Sequence, residues 1–452
     1  MTRADRTQSY WLEHAWLGDR ADAVTGVLVE VEDGRFTRVT TGVEPSTGAE
    51  RLAGLTVPGM ANCHSHAFHR ALRGRTQRER GTFWSWRRQM YSVAEWLTPD
   101  TYYELAKATY REMVASGFTS VGEFHYLHHG PGGMAYDDPN AMGLALVHAA
   151  RDAGIRITLL DTCYLGAGIG QVPAGAQTRF SDGDAGAWQE RVDALRAAAA
   201  PTGDGVVVGA AVHSVRAVPR DQMHVVAEWA ERYAAPLHVH LSEQIAENRE
   251  CLAAYGETPT GVLEESGVLG ERTSVVHATH LTEADVTMLG ETGTYACFCP
   301  TTERDLADGI GPSRLLYDAG SRLTVGTDSH ALIDAFEEMR AVELDERLTS
   351  LERGTWSAAE LLTAATADGH ASLGFADAGR IEVGARADLV TLDMCSARTA
   401  GAGASPETAV FAAGAADVVQ VVVDGRLVAT AGDRREIGLQ LDDAIRQVWG
   451  SA

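Results

Sequence analysis

The stretch Leu55-Thr56-Val57-Pro58-Gly59-Met60-Ala61-Asn62-Cys63-His64-Ser65-His66 decides the fold. An apolar, strand-like run ends in a His-x-His pair. Alternate residues of a strand point to the same side. His64 and His66 can therefore reach one metal ion. The pair alone is a weak signal, because two neighbouring histidines also mark an ordinary polar strand end. It gains meaning if further ligands stand at the ends of later strands.

The middle of the chain supplies them. It alternates short apolar strands with amphipathic helical stretches. The predicted strands are Leu55–His66, Thr119–Tyr126, Arg156–Cys163, Val206–Ser214, Pro236–Glu243, Ser274–Thr279, Thr294–Pro300 and Arg322–Ser329. Helical patterns between them include Pro99–Ser116, Asn140–Ala153, Trp188–Ala199 and Pro219–Ala234. Eight β/α units point to a closed parallel barrel, whose usual size is about 250 residues. The competing architecture is an open, doubly wound sheet. Polar residues at the strand ends favour the barrel, since chemistry there sits at the C-terminal ends of the strands. Those ends carry His64 and His66, Glu123 and His125, His213, His238 and His240, His277, and Asp328.

Both ends of the chain read as β. Val24–Glu32, the hairpin signal Asp33-Gly34 and Arg35–Thr40 lie on one side of the middle. Ala387–Leu392, Val418–Val423, Asp424-Gly425 and Arg426–Thr430 lie on the other. The expected fold is α/β: a (β/α)8 TIM-type barrel over 58–375 with a small β-sandwich domain formed by both termini, 1–57 and 376–452.

The 452 residues carry a formal net charge of −24, with 45% hydrophobic and 22% charged side chains. A soluble globular chain is expected. Nucleic acid is excluded as a partner, because phosphate binding needs a basic face. An anionic substrate would need local arginines against this background field. The six cysteines are scattered, so they read as reduced thiols rather than disulfides. The stretch Met1 to Arg20 is polar and lacks the apolar centre of a signal peptide, and no run is long enough to span a membrane. A cytoplasmic protein without membrane contact is expected.

The ligand set the residues favour is His64, His66, His240 and Asp328, from the first, fifth and eighth strands. A catalytic zinc usually takes three protein ligands and keeps a position for water. Imidazole and carboxylate donors suit Zn(2+), with Fe(2+) as the alternative.

Four motifs carry a family resemblance: Pro58-Gly59 leading to His64-Ser65-His66, His238-Val239-His240-Leu241-Ser242-Glu243, Val275-Val276-His277-Ala278-Thr279-His280, and Val325-Gly326-Thr327-Asp328-Ser329-His330. Together they resemble the metal-dependent deaminase branch of the amidohydrolase superfamily, over essentially the whole chain. Narrower strings are similar to its formimidoylglutamate deiminase group: His64-Ser65-His66-Ala67-Phe68, Phe83-Trp84-Ser85-Trp86-Arg87, Glu123-Phe124-His125-Tyr126-Leu127-His128-His129 and Cys299-Pro300-Thr301-Thr302-Glu303.

The resemblance implies one zinc per chain and hydrolysis of a small anionic amidine, N-formimidoyl-L-glutamate, to a formyl product and ammonia. It implies Glu243 as proton shuttle, His277 as donor to the developing oxyanion, and Asp328 as acceptor of the proton of the metal's water. It assigns Arg87, Tyr126, His213 and Arg216 to substrate contacts, and a homodimer is common among such barrels. His238 could serve a second metal, but a two-metal site usually needs a carboxylated lysine at the end of strand four, where this chain has His213. Of His277 and His280, the resemblance selects His277.

Two positions depart from the group's pattern. His69 stands where the group has glutamine, a substrate contact. A neutral imidazole also donates and accepts, with different reach, so His69 either preserves the contact or marks a changed substrate. Arg304 replaces a small residue in Glu303-Arg304-Asp305-Leu306-Ala307-Asp308-Gly309, where it is expected to alter the rim of the pocket.

Overall fold

The computed structural model describes residues 8–18, 21–77 and 83–450, with backbone alone at 83 and 84. Parts of the polar N-terminal stretch, residues 1–7 and 19–20, lie outside the described residues. The N-terminal segment forms strands β1 (Gln8–Ala15), β2 (Val24–Glu32), β3 (Arg35–Thr41) and β4 (Glu50–Pro58). The barrel strands follow: β5 (Met60–Ser65), β6 (Phe118–His125), β7 (Arg156–Cys163), β8 (Val206–Val212), β9 (Leu237–Leu241), β10 (Thr273–His277), β11 (Tyr295–Phe298) and β12 (Leu323–Val325). Strands β13 (Leu389–Leu392), β14 (Val418–Val423) and β15 (Arg426–Thr430) complete the chain's β content.

The two ends fold together as expected. Their strands form one seven-stranded sheet in the order β15-β14-β13-β4-β1-β2-β3. The ends meet where β13 pairs antiparallel with β4, Leu392 opposite Leu55 and Leu389 opposite Pro58. Leu12, Val27, Val29, Phe36 and Leu389 pack on this sheet as a cluster of their own.

The predicted strand Leu55–His66 is two strands. Leu55 to Pro58 ends β4 in the terminal sheet, and Met60 opens β5 in the barrel. Both pieces are buried, so their apolar pattern runs on without a break. The switch is Gly59. A Cβ there would lie 2.3 Å from the Thr119 hydroxyl and 2.7 Å from the Asp388 Cβ, so the crossing admits no side chain.

Strands β5 to β12 pair in parallel with their sequence neighbours. The ring closes between the first strand and the residues after the last. The His66 N–H donates to the Asp328 carbonyl at 3.2 Å, and the Asp328 N–H to the His64 carbonyl at 2.9 Å. Gly326 lets the segments touch, since a Cβ there would sit 2.7 Å from the His64 nitrogen. Strand β12 is shorter than the predicted Arg322–Ser329 because the chain leaves the ladder after Val325 and curls back, with Asp328 at φ 40°.

The helices fall within a few residues of their predicted spans. Pro99–Ala115 starts with Thr98 capping the Thr101 N–H and proline at the first position, as helix entry favours. Ala141–Ala153 buries its Leu, Val and Ala face and stops at Gly154, φ 79°. Among the described residues no helix is long and apolar enough to cross a membrane. The cysteines are free, and all but Cys395 are buried.

A buried ion pair ties the terminal sheet to the foot of the barrel. Arg156, on β7, donates to both carboxylate oxygens of Asp388, and Asp388 also accepts from Thr119 and the Asp424 N–H. Both side chains of the pair are almost wholly buried. Removing one partner strands the other's charge, so Asp388→Ala should lower unfolding stability by about 3–5 kcal/mol in chemical denaturation. A loss below about 1 kcal/mol would show that the pair does not couple the two parts.

Candidate active site

The C-terminal ends of β5, β9 and β10 and the curl after β12 converge at the barrel mouth. His64 Nε2 lies 3.1 Å from His240 Nε2 and 3.4 Å from an Asp328 oxygen, and His66 Nε2 lies 3.3 Å from the same oxygen. Ligand atoms of His64, His240, His277 and Asp328 form one cluster, and those of His66, His69 and Asp328 form a second that shares the aspartate. All these side chains are buried. Second partners orient the rings. His66 Nδ1 donates to the Phe124 carbonyl at 2.9 Å and His240 Nδ1 to the His213 carbonyl at 3.0 Å. Each bond fixes the Nδ1–H tautomer and leaves Nε2 with a free lone pair facing inward.

Protonation divides the cluster. Burial pushes His66 down to about 3, helped by His64 alongside, and it also lowers His64 and His240. Burial would raise Asp328, but the hydrogen bond and charge of His64, with His277 and His66, hold it well below the carboxylate range. His66 and His240 thus offer neutral Nε2 lone pairs beside an ionised Asp328, with His64 Nε2 between His240 and that carboxylate. That donor set fits a divalent cation, which needs its ligands deprotonated. His277 goes the other way. Burial opposes its charge, but Glu243, Glu303 and Asp328 outweigh it and push it up to about 10.

The backbone is strained at these positions. Ser242, His277, Ala278, Asp328 and His330 all have positive φ without being glycine, a conformation that costs of order 1–3 kcal/mol each and persists where the surroundings enforce it. The enforcing contacts are polar and buried. Asn62 bonds Thr327 through its amide nitrogen at 2.7 Å and its oxygen at 3.0 Å, Thr327 bonds His330 at 2.8 Å, and His330 lies 3.0 Å from the Ser65 hydroxyl. Glu123 accepts from the Ser65 hydroxyl and, at 2.7 Å, from the Ala67 N–H. Glu123 therefore braces the His64-Ser65-His66 turn from below.

A cleft opens above the cluster. Every predicted site residue except His64 lines it; His64 lies beneath. Glu243 follows β9, with its carboxylate 4.0 Å from His277 Nε2 and 3.7 Å from Arg216. Burial raises Glu243, opposed by the positive charge of His277 and Arg216. Arg216 is held in turn by Glu247, whose second oxygen accepts the Ser242 N–H at 2.8 Å. On the opposite wall Arg87 donates to the hydroxyls of Tyr91 and Tyr164. His69 bonds the Tyr126 hydroxyl at 3.0 Å and lies against His66, with ring centroids 4.6 Å apart. His213 packs edge-on to Tyr164, 4.6 Å between centroids.

Other polar residues sit elsewhere. Arg304 does not shape the rim as expected: it points away and pairs with Asp345 and Glu337 on the neighbouring helix, while Leu306 lines the cleft. His125 lies on the outer face of β6, its ring 4.8 Å from that of His128 and against Gly143 of a covering helix. His280 stays on the loop after β10, its N–H on the Ser242 carbonyl. His238 is buried in the barrel and stands outside the clusters of candidate ligands found among the described residues. Glu303 and Glu247 each orient a site residue. Glu303 stands in the Cys299–Glu303 string that carries the resemblance, whereas the only sequence signal of Glu247 is its place a few residues past a strand end.

This geometry, an eight-stranded parallel barrel whose mouth gathers histidines and one aspartate beside a carboxylic acid, is that of a hydrolase with a candidate metal site. Residues 55–428 match the amidohydrolase family, and the chain belongs to it. It is 38% identical over 398 residues to the formimidoylglutamate deiminase of Pseudomonas aeruginosa, covering 85% of this chain and 87% of that protein. A 5-methylthioadenosine/S-adenosylhomocysteine deaminase of Natronomonas pharaonis is 29% identical over 415 residues, 90% of this chain and 87% of that one. Among solved structures, an amidohydrolase from Brucella melitensis superposes with a TM-score of 0.90 at 30% identity, covering 98% of this chain and all of that one.

Proposed function

We propose that the protein is a zinc-dependent deiminase that converts N-formimidoyl-L-glutamate and water to N-formyl-L-glutamate and ammonia. The observation that carries this reading is the pairing of one wall with another: Arg87 and Arg216 both line the cleft that stands over the metal-ligand cluster. A formimidoylated glutamate bears two carboxylates and an amidine. Guanidinium groups bind carboxylates by charge-assisted, bidentate bonds, whereas a neutral nucleobase has no use for two of them. The similarity to the Pseudomonas aeruginosa enzyme supports the same substrate.

His64, His66, His240 and Asp328 would hold the ion. Bound there, it would supply Lewis acidity and a water whose pKa falls towards about 7. The chain's own groups do the rest. Glu243, raised by burial, takes and returns a proton at the amidine nitrogen, which departs as ammonia only once protonated. His277, charged at neutral pH, donates from Nε2 to the oxygen that gains negative charge at the formimidoyl carbon. Arg87 and Arg216 bind the carboxylates, with Tyr126, His213 and His69 completing the wall. The pair His69 and Tyr126 keeps a donor and an acceptor where the group has an amide.

Ammonia release from formimidoylglutamate, its aspartate analogue and a panel of nucleobases and adenine nucleosides tests the reading, with the product identified. Formylglutamate with stoichiometric ammonia is expected. Turnover of a base or nucleoside without turnover of formimidoylglutamate would overturn it. Arg87→Met should raise KM by roughly 10- to 100-fold, the loss of one charged hydrogen-bonded contact, with metal content unchanged. An unchanged KM would remove Arg87 from the substrate contacts.

A further inference from the structure

We propose that Glu303 is a positioning residue for His277, fixing the ring so that its Nε2 faces the reacting centre. The proposal deepens the reading of His277 given above and rests on it. Glu303 lies on the helix Pro300–Leu306 that follows β11, and its side chain is buried. A buried carboxylate persists only when hydrogen-bonded. One oxygen, Oε1, accepts both bonds: from the Cys299 N–H at 2.9 Å and from His277 Nδ1 at 3.3 Å.

That contact decides which nitrogen of His277 points where. With Nδ1–H committed to Glu303, Nε2 is left on the cleft side, 4.0 Å from Glu243. The imidazole also stacks on His240, with centroids 5.6 Å apart and planes 11° apart. Stacking holds the plane of the ring but does not distinguish its two nitrogens. The Glu303 bond does, by the logic that lets one partner of a histidine set the role of the other nitrogen. Glu303 does not line the cleft, so its action on substrate passes through His277.

The competing role is local. Glu303 also satisfies an N–H at the start of its own helix, and such a role would act on stability independently of His277. A double-mutant cycle separates the two. Oε1 alone makes both bonds, so the amide oxygen of Glu303→Gln can replace it, whereas Glu303→Leu cannot. Glu303→Leu is expected to lower kcat about 100-fold or more, with KM within threefold and metal content at the parent level. Glu303→Gln should stay within about tenfold of the parent. In a His277→Ala background, Glu303→Leu should cost less than twofold more. Losses that multiply in the double variant, or metal loss in Glu303→Leu, would overturn the proposal.

A second readout needs no turnover. In protein labelled with [15N]histidine, the hydrogen-bonded Nδ1–H signal assigned by its loss in His277→Ala should also vanish in Glu303→Leu and persist in Glu303→Gln. Persistence in Glu303→Leu would overturn the proposal whatever the substrate. Absence of ammonia release by the parent would count against the substrate reading alone.

Discussion

Glu243→Gln is expected to keep its metal and lose about three orders of magnitude in kcat, within the range a positioned proton carrier contributes. The amide has nearly the shape of the acid it replaces. It can still lie beside Arg216 and His277, which stand 3.7 and 4.0 Å from the carboxylate. What it cannot do is exchange a proton with the substrate. Glu243 lies outside the cluster of candidate ligand atoms, so metal content should match the parent by elemental analysis. KM should move by no more than a few-fold, because the carboxylate-binding arginines are untouched. Loss of metal would instead make Glu243 a ligand. Retained turnover would pass its role to another buried acid, and Asp308 is the candidate: burial beside Glu243 pushes it up to about 8.

Much of this site was legible in the sequence because strand ends are short, apolar and regularly spaced. His64, His66, His240, His277 and Asp328 each follow such a run, and the barrel rule then places them together. Sequence reads one continuous strand from Leu55 to His66, across the change of sheet at Gly59. The end of β4 and all of β5 are buried, so the hydrophobic pattern has no break where the chain passes from one to the other. Nor does a strand end reveal which way a side chain points. His125 follows the same rule as His64 yet packs outward against a helix, because alternate residues of β6 face opposite sides and Phe124 and Tyr126 take the inner one. The bracing residues were the hardest to see. Glu123 and Glu303 stand in strings that carry the resemblance, but their roles do not show there: like Glu247, they act through bonds to residues distant or hidden in the fold, and a glutamate in a sequence is most simply a surface charge. Arg304 illustrates the converse. Its place in a pocket loop suggested a role at the rim, but a helix presents its side chains by turn, and this one faces the neighbouring helix.

Asp328→Asn is expected to empty the site without opening the barrel. Asp328 has two roles that are chemically separate. Its backbone closes the ring, exchanging hydrogen bonds with His64 and His66 at 2.9 and 3.2 Å. Its carboxylate is the only anion among the four predicted ligands, and it stays ionised because the surrounding imidazoles hold it far down. Asparagine preserves the first role and tolerates the positive φ that the position demands. It removes the charge that offsets a divalent cation. Metal content after chelation and reloading should fall to roughly a tenth of the parent's or less, and kcat by more than a thousandfold, as loss of a ligand exceeds the 10- to 100-fold effect of a lost supporting bond. The metal-free variant should unfold at the same denaturant concentration as the metal-free parent, because the seam between β5 and the curl after β12 is held by main-chain groups and by the bonds of Asn62 and Ser65 to Thr327 and His330, none of which the change touches. The stripped parent should recover activity when zinc is restored, and the variant should not. Full metal content with lost turnover would remove Asp328 from the ligand set and leave it the proton acceptor alone. A metal-free variant that unfolds much earlier would show that the carboxylate, and not the backbone, secures the closure.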